Sequence, residues 1–202
     1  MKHLNEYITE KLKINSKVKT YKYYPKTPQE LSEILEEKLE ENKNANLNDI
    51  DVSEIDDMSE LFYNLDPYNI DISEWDVSNV TNMRGMFSGC SNFNCNLSDW
   101  NVSNAIDMRF MFYNCKNFNS DLSNWNVSKV KFMNEMFKFC TNFNSDLSNW
   151  NVSNVEYMTW MFVDCKKFNS DLFNWDVSNV KDMENMFVRC DSLKNIPRWY
   201  KQ

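Results

Sequence analysis

The chain has 202 residues, 26% of them charged, and a formal net charge of −8. This acidic balance argues against a nucleic-acid or anionic-membrane surface, because both require a basic patch. The chain has only two glycines, Gly85 and Gly89, so a glycine-rich phosphate-binding loop is excluded. No apolar run approaches the length of a membrane span, and the first residues lack the apolar core of a signal peptide.

The N-terminal part of the chain differs in composition from the rest. Residues 1–19 are predicted to be a leader, and residues 20–49 are predicted to be an N-terminal cap that contains an amphipathic helix. Thr27 is a candidate N-cap, Pro28 occupies the first helical position, and Glu30 completes a capping-box pattern. A stack of repeats needs a terminal element with one polar face, and this helix is the natural candidate.

A motif of 25 residues recurs through the rest of the chain. Equivalent positions hold the same residue type, as Trp100, Met108, Phe112 and Cys115 show when they are compared with positions 25 residues away. The predicted repeat region spans residues 50–199. Its six units are residues 50–74, 75–99, 100–124, 125–149, 150–174 and 175–199. A fixed period of this length is typical of a solenoid.

Two patterns alternate inside each unit. Leu97 and Trp100 begin a L-x-x-W-x-V segment, which has the spacing of a leucine-rich repeat strand. Ser78 then precedes apolar residues at i, i+3, i+7 and i+10, the inward face of a short helix that the serine is predicted to cap. The pattern therefore predicts an α/β fold, a leucine-rich-repeat-like solenoid of about six strand–helix coils with an N-terminal helical cap.

The repeat motif DLSxWxVSxVxxMxxMFxxCxxFN, as it stands from Asp121 to Asn144, resembles a known family. It is similar to the repeats of BspA-like leucine-rich repeat surface proteins, including the 25-residue mycoplasma lipoprotein-type repeats. The resemblance covers residues 50–199 and implies a leucine-rich-repeat-like solenoid used for adhesion or protein recognition. Surface members of that family carry export signals, whereas the first residues of this sequence do not resemble one.

A second resemblance concerns the N-terminal segment. LNEYITEKLKINSKVK is similar to a leader found on assorted proteins of gut bacteriophages and their Bacteroidales hosts. The resemblance implies that residues 1–19 are a separable docking or packaging tag. Together with the expected lack of a signal peptide or lipid anchor, it predicts a cytoplasmic or virion-associated protein.

Five of the six cysteines recur once per unit, without a Cys-x-x-Cys pair. Their phase with Met83 and Phe87 predicts a buried ladder of small core residues, with reduced thiols because no export signal is seen. Cys95 lies out of register and is the thiol to test for reactivity. The ladder residues are Cys90, Cys115, Cys140, Cys165 and Cys190.

Few residues could support catalysis or bind a metal. The single histidine, His3, cannot act as the base of a triad built from the repeats. Asp121, Asp146 and Asp171 share one register, so they either attract a hard cation such as calcium or each cap their own turn through backbone N–H groups. We favour capping, and we expect no enzyme activity, no cofactor and no metal site.

The registers of Asn82, Gly85 and Gly89 vary between units, and their side chains are predicted to point away from the core as one stripe of the helix. Grouped outward aromatic residues are typical of a protein-binding hot spot. The alternative is that these rings only cover the methionines Met111, Met136 and Met161. The predicted partner-binding residues are Phe110, Phe132, Phe139, Tyr157 and Trp160.

A wall of asparagine and aspartate is the second candidate surface. In a leucine-rich-repeat-like solenoid such columns line the exposed sheet, but these residues hardly vary between units. That uniformity favours a structural role in which amides bond from unit to unit. The wall consists of Asp99, Asn101, Asn124, Asn126, Asn149, Asn151, Asn174 and Asp176.

These features predict a non-catalytic protein–protein interaction scaffold. A bacteriophage virion-associated or packaged structural protein, docked through its N-terminal segment, is one alternative. An adhesin that binds host glycan or matrix is the other. The sequence predicts a protein partner, no nucleic acid and no membrane span, and it leaves the oligomeric state open.

Overall fold

The computed structural model describes residues 20–63, 65, 67 and 69–201. The predicted leader, residues 1–19, lies outside the described residues. The only regular α-helix among the described residues is α1 (Pro28–Glu41), and none of these residues belongs to a named strand. No helix in this part of the chain is long and apolar enough to cross a membrane.

Helix α1 begins as its sequence predicts. The Glu30 N–H donates to Oγ1 of the N-cap residue Thr27 at 3.2 Å, and the Glu30 carboxylate accepts from the Lys26 N–H at 2.7 Å. One face of the helix is buried against the core, through Leu31, Leu35 and Leu39. The prediction of a capped amphipathic helix is therefore confirmed.

The repeats are joined by backbone hydrogen bonds between neighbouring units. The N–H of Met83 donates to the carbonyl of Asp107 at 2.8 Å, and the N–H of Gly85 donates to the carbonyl of Arg109 at 2.8 Å. The N–H groups of Phe87 and Gly89 continue this alternation, and we call residues 82–89 and their equivalents in the other units the bridge segment. Single parallel bridges connect equivalent positions of successive units in one column, Asp57, Asn82, Asp107, Phe132, Tyr157 and Asp182.

The bridge segment is the part of each unit for which a helix was predicted, and that prediction is wrong. Gly85 and Gly89 adopt left-handed backbone conformations, with φ of 60° and 82°, and their described equivalents in the other units do the same. Such residues interrupt a right-handed helix. The N–H groups therefore bond to the next unit rather than to a carbonyl four residues earlier, and Ser78 does not cap a helix.

The predicted strand is also absent from the described units. The N–H of Trp100 donates to the carbonyl of Leu97 at 3.1 Å, which closes a turn and brings both side chains into the core. A second turn follows at once, because the Ser103 N–H donates to Oδ1 of Asn101 at 3.2 Å. The three-residue spacing that suggested a strand thus reflects consecutive tight turns.

The core is a set of aromatic ladders that run from unit to unit. One phenylalanine per unit stacks on its equivalent with ring centroids 5.3 to 5.8 Å apart, and a second ladder runs beside it through Phe93 and Phe118 at 5.9 Å. Each offset-stacked pair adds about 0.5–1.5 kcal/mol beyond the burial of its surface. The main ladder comprises Phe62, Phe87, Phe112, Phe137, Phe162 and Phe187.

The polar atoms of core side chains form hydrogen bonds with backbone carbonyls of preceding units. The indole N–H of Trp125 donates to the carbonyl of Leu97 at 2.9 Å, and the thiol of Cys140 donates to the carbonyl of Phe112 at 2.8 Å. The other ladder tryptophans and cysteines make the equivalent bonds. These bonds let a polar edge enter the core without an unpaired donor.

Four of the five ladder cysteines are buried, as predicted, whereas Cys190 in the last unit is half-buried, as is Cys95 outside the ladder. Burial raises the pKa of the thiols of Cys115 and Cys165, and it raises the pKa of Cys190 to about 12. Burial also raises the pKa of Cys95. Because the thiolate is the reactive form, all these groups are poor nucleophiles at neutral pH.

We expect native protein at pH 8 to react slowly with a thiol reagent such as DTNB, and only at the half-buried Cys95 and Cys190. Unfolding in urea should then release all six thiols. A Cys95→Ser, Cys190→Ser variant provides the control, because it should remove the slow native phase and leave four thiols in urea. Rapid native labelling of Cys140 would contradict the buried ladder.

The C-terminal residues extend the ladders as well as closing the core. Trp199 stacks on Trp175 at 6.2 Å, and its indole N–H donates to the carbonyl of Leu172 at 2.8 Å. Tyr200 packs edge-on against Phe187 at 5.1 Å. Ile196 does not join this packing, because its side chain is 54% exposed.

Candidate functional site

An open groove of about 500 Å³ lies on the outer face of the bridge segments. Its lining comes from four successive units, and it contains four of the five aromatic residues predicted to bind a partner. The groove is lined by Arg109, Phe110, Phe132, Asn134, Glu135, Tyr157, Thr159, Trp160, Asp182 and Glu184. We call this surface the aromatic groove.

A stacked pair of rings lies at the centre of the aromatic groove. Phe132 and Tyr157 are bridge partners, and their ring centroids are 5.9 Å apart with an interplanar angle of 13°. Both side chains are half-buried, so one side of the pair remains accessible. Beside them, the Asn134 amide donates to the Thr159 hydroxyl at 2.7 Å and links the same two units.

In the other units of the bridge column, the register of Phe132 and Tyr157 holds Asp or Asn, and that side chain caps a turn. Oδ1 of Asn82 accepts the N–H of Arg84 at 3.1 Å, and Oδ1 of Asp107 accepts the N–H of Arg109 at 3.0 Å. Asp57 and Asp182 make the same bond. A benzyl or phenol ring at Phe132 or Tyr157 cannot accept this bond, which is worth about 0.5–1.5 kcal/mol.

The backbone conformation likewise disfavours the other two aromatic residues of the groove. Phe110 and Trp160 adopt left-handed conformations, with φ of 59° and 58°. Gly85 and Asn185 occupy the same register, and glycine and asparagine tolerate that conformation better than a bulky side chain does. A left-handed residue with a Cβ costs roughly 1–2 kcal/mol, so the backbone does not favour aromatic residues at these positions.

Phe139, the fifth predicted residue, lies outside the aromatic groove in a neighbouring cluster. It packs edge-on against Tyr113 with ring centroids 5.6 Å apart. Lys138 connects this cluster to the groove, because its ammonium lies 5.4 Å from the Phe139 centroid and 4.3 Å from the Trp160 centroid. Lys138 also bonds to the Glu135 carboxylate at 2.8 Å.

Positively charged side chains of the protein also lie over the rings of Phe132 and Tyr157. The Arg109 guanidinium is 5.0 Å from the Phe132 centroid, and the Lys181 ammonium is 5.6 Å from the Tyr157 centroid. The hydrogen bond to Asp107 raises the pKa of Arg109. The hydrogen bond between Lys181 and Glu156 raises the pKa of the lysine and lowers that of the glutamate. These side chains therefore stay charged across the physiological range.

The asparagine and aspartate wall is exposed, and part of it has a local structural role. Asn101, Asn126, Asn151 and Asp176 each accept the N–H of the serine two residues later. This column therefore caps local turns and does not form the predicted bonds from unit to unit. Bonds from unit to unit come from other asparagines, such as the Asn104 amide, which donates to the Ser78 carbonyl at 2.7 Å.

The remaining wall residues are exposed side chains in one further column, Asp99, Asn124, Asn149 and Asn174.

The aspartates that could have attracted a cation cap their own turns. Oδ1 of Asp121 accepts the Ser123 N–H at 2.9 Å, and Oδ1 of Asp146 accepts the Ser148 N–H at 2.9 Å. Asp171 caps the N–H of Phe173 in the same way. These backbone bonds lower the pKa of Asp121 and of Asp146. The interpretation of this register as turn caps is therefore confirmed.

Several groove residues were missed by sequence reasoning. Arg109, Asn134, Thr159 and Glu184 share one register, which varies between units just as the aromatic registers do. That variation was a usable signal. The position of Lys138 could not have been found in this way, because its contacts depend on left-handed turns that the sequence did not reveal.

The geometry defines a repeat protein with an aromatic core and an outer aromatic groove. A family model described as "Mycoplasma protein of unknown function, DUF285" matches residues 29–140 and 120–201, so the chain belongs to this family. It is a repeat family related to BspA-like and leucine-rich-type repeats, which confirms that part of the resemblance. The match gives no support to a bacteriophage or Bacteroidales origin.

Neither the curated proteins nor the solved structures yielded a match.

Proposed function

We propose that this protein is a non-catalytic scaffold that binds a protein partner through the aromatic groove. One observation carries the proposal. At the register of Phe132 and Tyr157, four other units use an Asp or Asn to cap a turn, and these two units replace the cap with a stacked aromatic pair. Clustered aromatic residues that do not favour the local fold are typical of interaction hot spots.

The exposure of Trp160 supports the same function. Its side chain is 42% exposed although it occupies a left-handed position that Gly85 fills at lower cost. The methionines that these rings were thought to cover, such as Met136 and Met161, are completely buried. A covering role would not need an aromatic ring this exposed, whereas an anchor for a partner would.

We also infer that the repeat region is a solenoid of six stacked 25-residue units, and that the groove runs across its middle units. The bridges between positions 25 residues apart and the continuous phenylalanine ladder support this arrangement. Small-angle X-ray scattering would test it. An elongated particle with the end-to-end length of six stacked units is expected, and a spherical profile would contradict it.

The proposed function is tested by giving the groove the residues that other units carry. Phe132→Asn and Tyr157→Asn restore the turn caps, and Trp160→Gly restores the residue of the Gly85 register. Losing the ring stack costs about 0.5–1.5 kcal/mol, and the two restored bonds offset it with about 0.5–1.5 kcal/mol each. We therefore expect a melting temperature equal to or above that of wild type, with loss of partner capture.

The measurement combines thermal denaturation with quantitative pull-down from a lysate of the source organism. An Asn124→Ser, Asn149→Ser variant is the matched control, because it changes two exposed residues on the asparagine and aspartate wall. It should keep both stability and partner. If the groove variant is destabilised and still captures the partner, the rings only cover the core and the proposal fails. Loss of the partner in the control alone would place binding on the wall.

A further inference from the structure

One end of the aromatic groove carries two carboxylates. Asp182 and Glu184 line it there, and no described lysine or arginine forms an ion pair with either side chain. Oδ1 of Asp182 accepts the N–H of Glu184 at 3.1 Å, so the local turn orders the backbone between the two residues. The carboxylates share the groove with Tyr157 and Trp160.

Three cations at the groove are paired with carboxylates. Arg109 bonds to Asp107 at 2.5 Å, Lys138 to Glu135 at 2.8 Å, and Lys181 to Glu156 at 2.5 Å. Lys131 also lies 3.9 Å from the Glu156 carboxylate, and Arg84 lies over Phe110, away from the Asp182 and Glu184 end. The two carboxylates of the preceding paragraph are therefore an unpaired negative charge at their own end of the groove, on a chain whose overall formal charge is also negative. A cationic ligand is favoured at this end, and an anionic one is disfavoured.

The aromatic rings of the groove already contact cations of the protein itself. Arg109 lies over Phe132, Lys181 over Tyr157 and Lys138 over Trp160, at 5.0, 5.6 and 4.3 Å from the ring centroids. Aromatic faces attract ammonium and guanidinium groups, and the aliphatic stems of lysine and arginine pack well on the same rings. The combination of exposed rings and uncompensated carboxylates is therefore complementary to a basic side chain.

We propose that the aromatic groove binds a polypeptide segment through a lysine or arginine side chain. The stem of that side chain packs on Tyr157 and Trp160, and its charged head bonds to Asp182 and Glu184. A volume of about 500 Å³ suits a few side chains of a partner segment. This inference rests on the proposed function and adds the chemical class of the ligand.

The test neutralises the two carboxylates without disturbing the fold. Asp182→Asn keeps the acceptor for the Glu184 N–H, as Asn82 does in the same register, and Glu184→Gln keeps the side-chain shape. The matched control is Asp99→Asn with Asp176→Asn. It changes the net charge by the same amount on the wall, at registers where other units carry asparagine.

The probe is an array of capped random-sequence octapeptides, followed by fluorescence anisotropy with the strongest binders on the full chain. We expect these binders to be enriched in lysine or arginine. Neutralising the carboxylates should weaken binding about tenfold, because a hydrogen bond between charged groups is lost. The control should stay within about twofold of wild type, and binding should weaken as salt is raised.

The outcomes separate this inference from the proposed function. In one outcome, the bound peptides are not enriched in basic residues, and the carboxylate variant binds them as wild type does, whereas the Phe132→Asn, Tyr157→Asn, Trp160→Gly variant does not. The inference of a cationic ligand is then wrong, and the groove still binds protein. If that groove variant binds like wild type, the proposed function fails as well. Capture of sugars on a parallel oligosaccharide array, with no peptide bound, would overturn both, and so would no capture at all.

Discussion

Replacing Phe137 with alanine should lower the free energy of unfolding by about 3–5 kcal/mol. The ring is completely buried and lies in the middle of the main ladder, with Phe112 and Phe162 stacked on it at 5.6 and 5.7 Å. Phe143 adds a third contact at 4.1 Å. The substitution therefore removes stacking with three rings and leaves a cavity that neighbouring rigid rings cannot fill. Urea denaturation followed by tryptophan fluorescence would measure the effect.

The matched control is Phe173→Ser. Phe173 is 42% exposed and occupies a register in which Ser98, Ser123 and Ser148 are found. Its replacement should change the free energy of unfolding by no more than about 0.5 kcal/mol. A loss of less than about 1 kcal/mol for Phe137→Ala would show that the ladder is not the principal source of stability.

Deleting residues 125–149 should give a shorter protein that still unfolds cooperatively. The deletion removes one 25-residue unit and joins Asn124 to Trp150, which occupies the same position in its unit as Trp125. Every remaining bridge, ring stack and indole hydrogen bond then finds an equivalent partner. The free energy of unfolding should fall only by the contribution of one unit and its interface. Circular dichroism in the aromatic region and urea denaturation would report the outcome.

A deletion of residues 125–148 serves as the control for register. It removes one residue fewer, so every position after the junction is displaced by one relative to its partner in the preceding unit. The phenylalanine ladder and the Trp–carbonyl bonds cannot form across that junction. We expect this variant to lose the cooperative transition. Similar stability for the two deletions would mean that the units do not depend on exact alignment.

The sequence was sufficient to predict the repeat and its core, because a fixed period requires equivalent side chains to share equivalent environments. Trp125, Phe137 and Cys140 are buried as the period predicts. The backbone that carries them was predicted incorrectly. Apolar residues at i, i+3 and i+7 indicate a helix when hydrogen bonds are local, but here the Met83 N–H bonds to a residue of the next unit. A single sequence does not display such a partner.

The aromatic groove was predicted only in part, for a related reason. Phe132, Tyr157 and Trp160 were identified because their registers vary, and variation can be read along the chain. The ion pair between Lys181 and Glu156 joins side chains 25 residues apart, and its position over Tyr157 depends on the path of the turns. Left-handed conformations at residues such as Glu135 carry no compositional signal, in contrast to those at Gly85.

From Met83 to Gly89, and in the equivalent stretches, the backbone bonds between units run in one direction, which makes the two ends of the repeat region chemically different along this stretch. Each bridge-segment N–H of the Met83 and Gly85 type is directed toward the following unit, and the carbonyls that accept these bonds face the preceding one. Along this stretch the first unit therefore presents acceptors and the last presents donors. Two copies that meet through these groups can pair them head to tail.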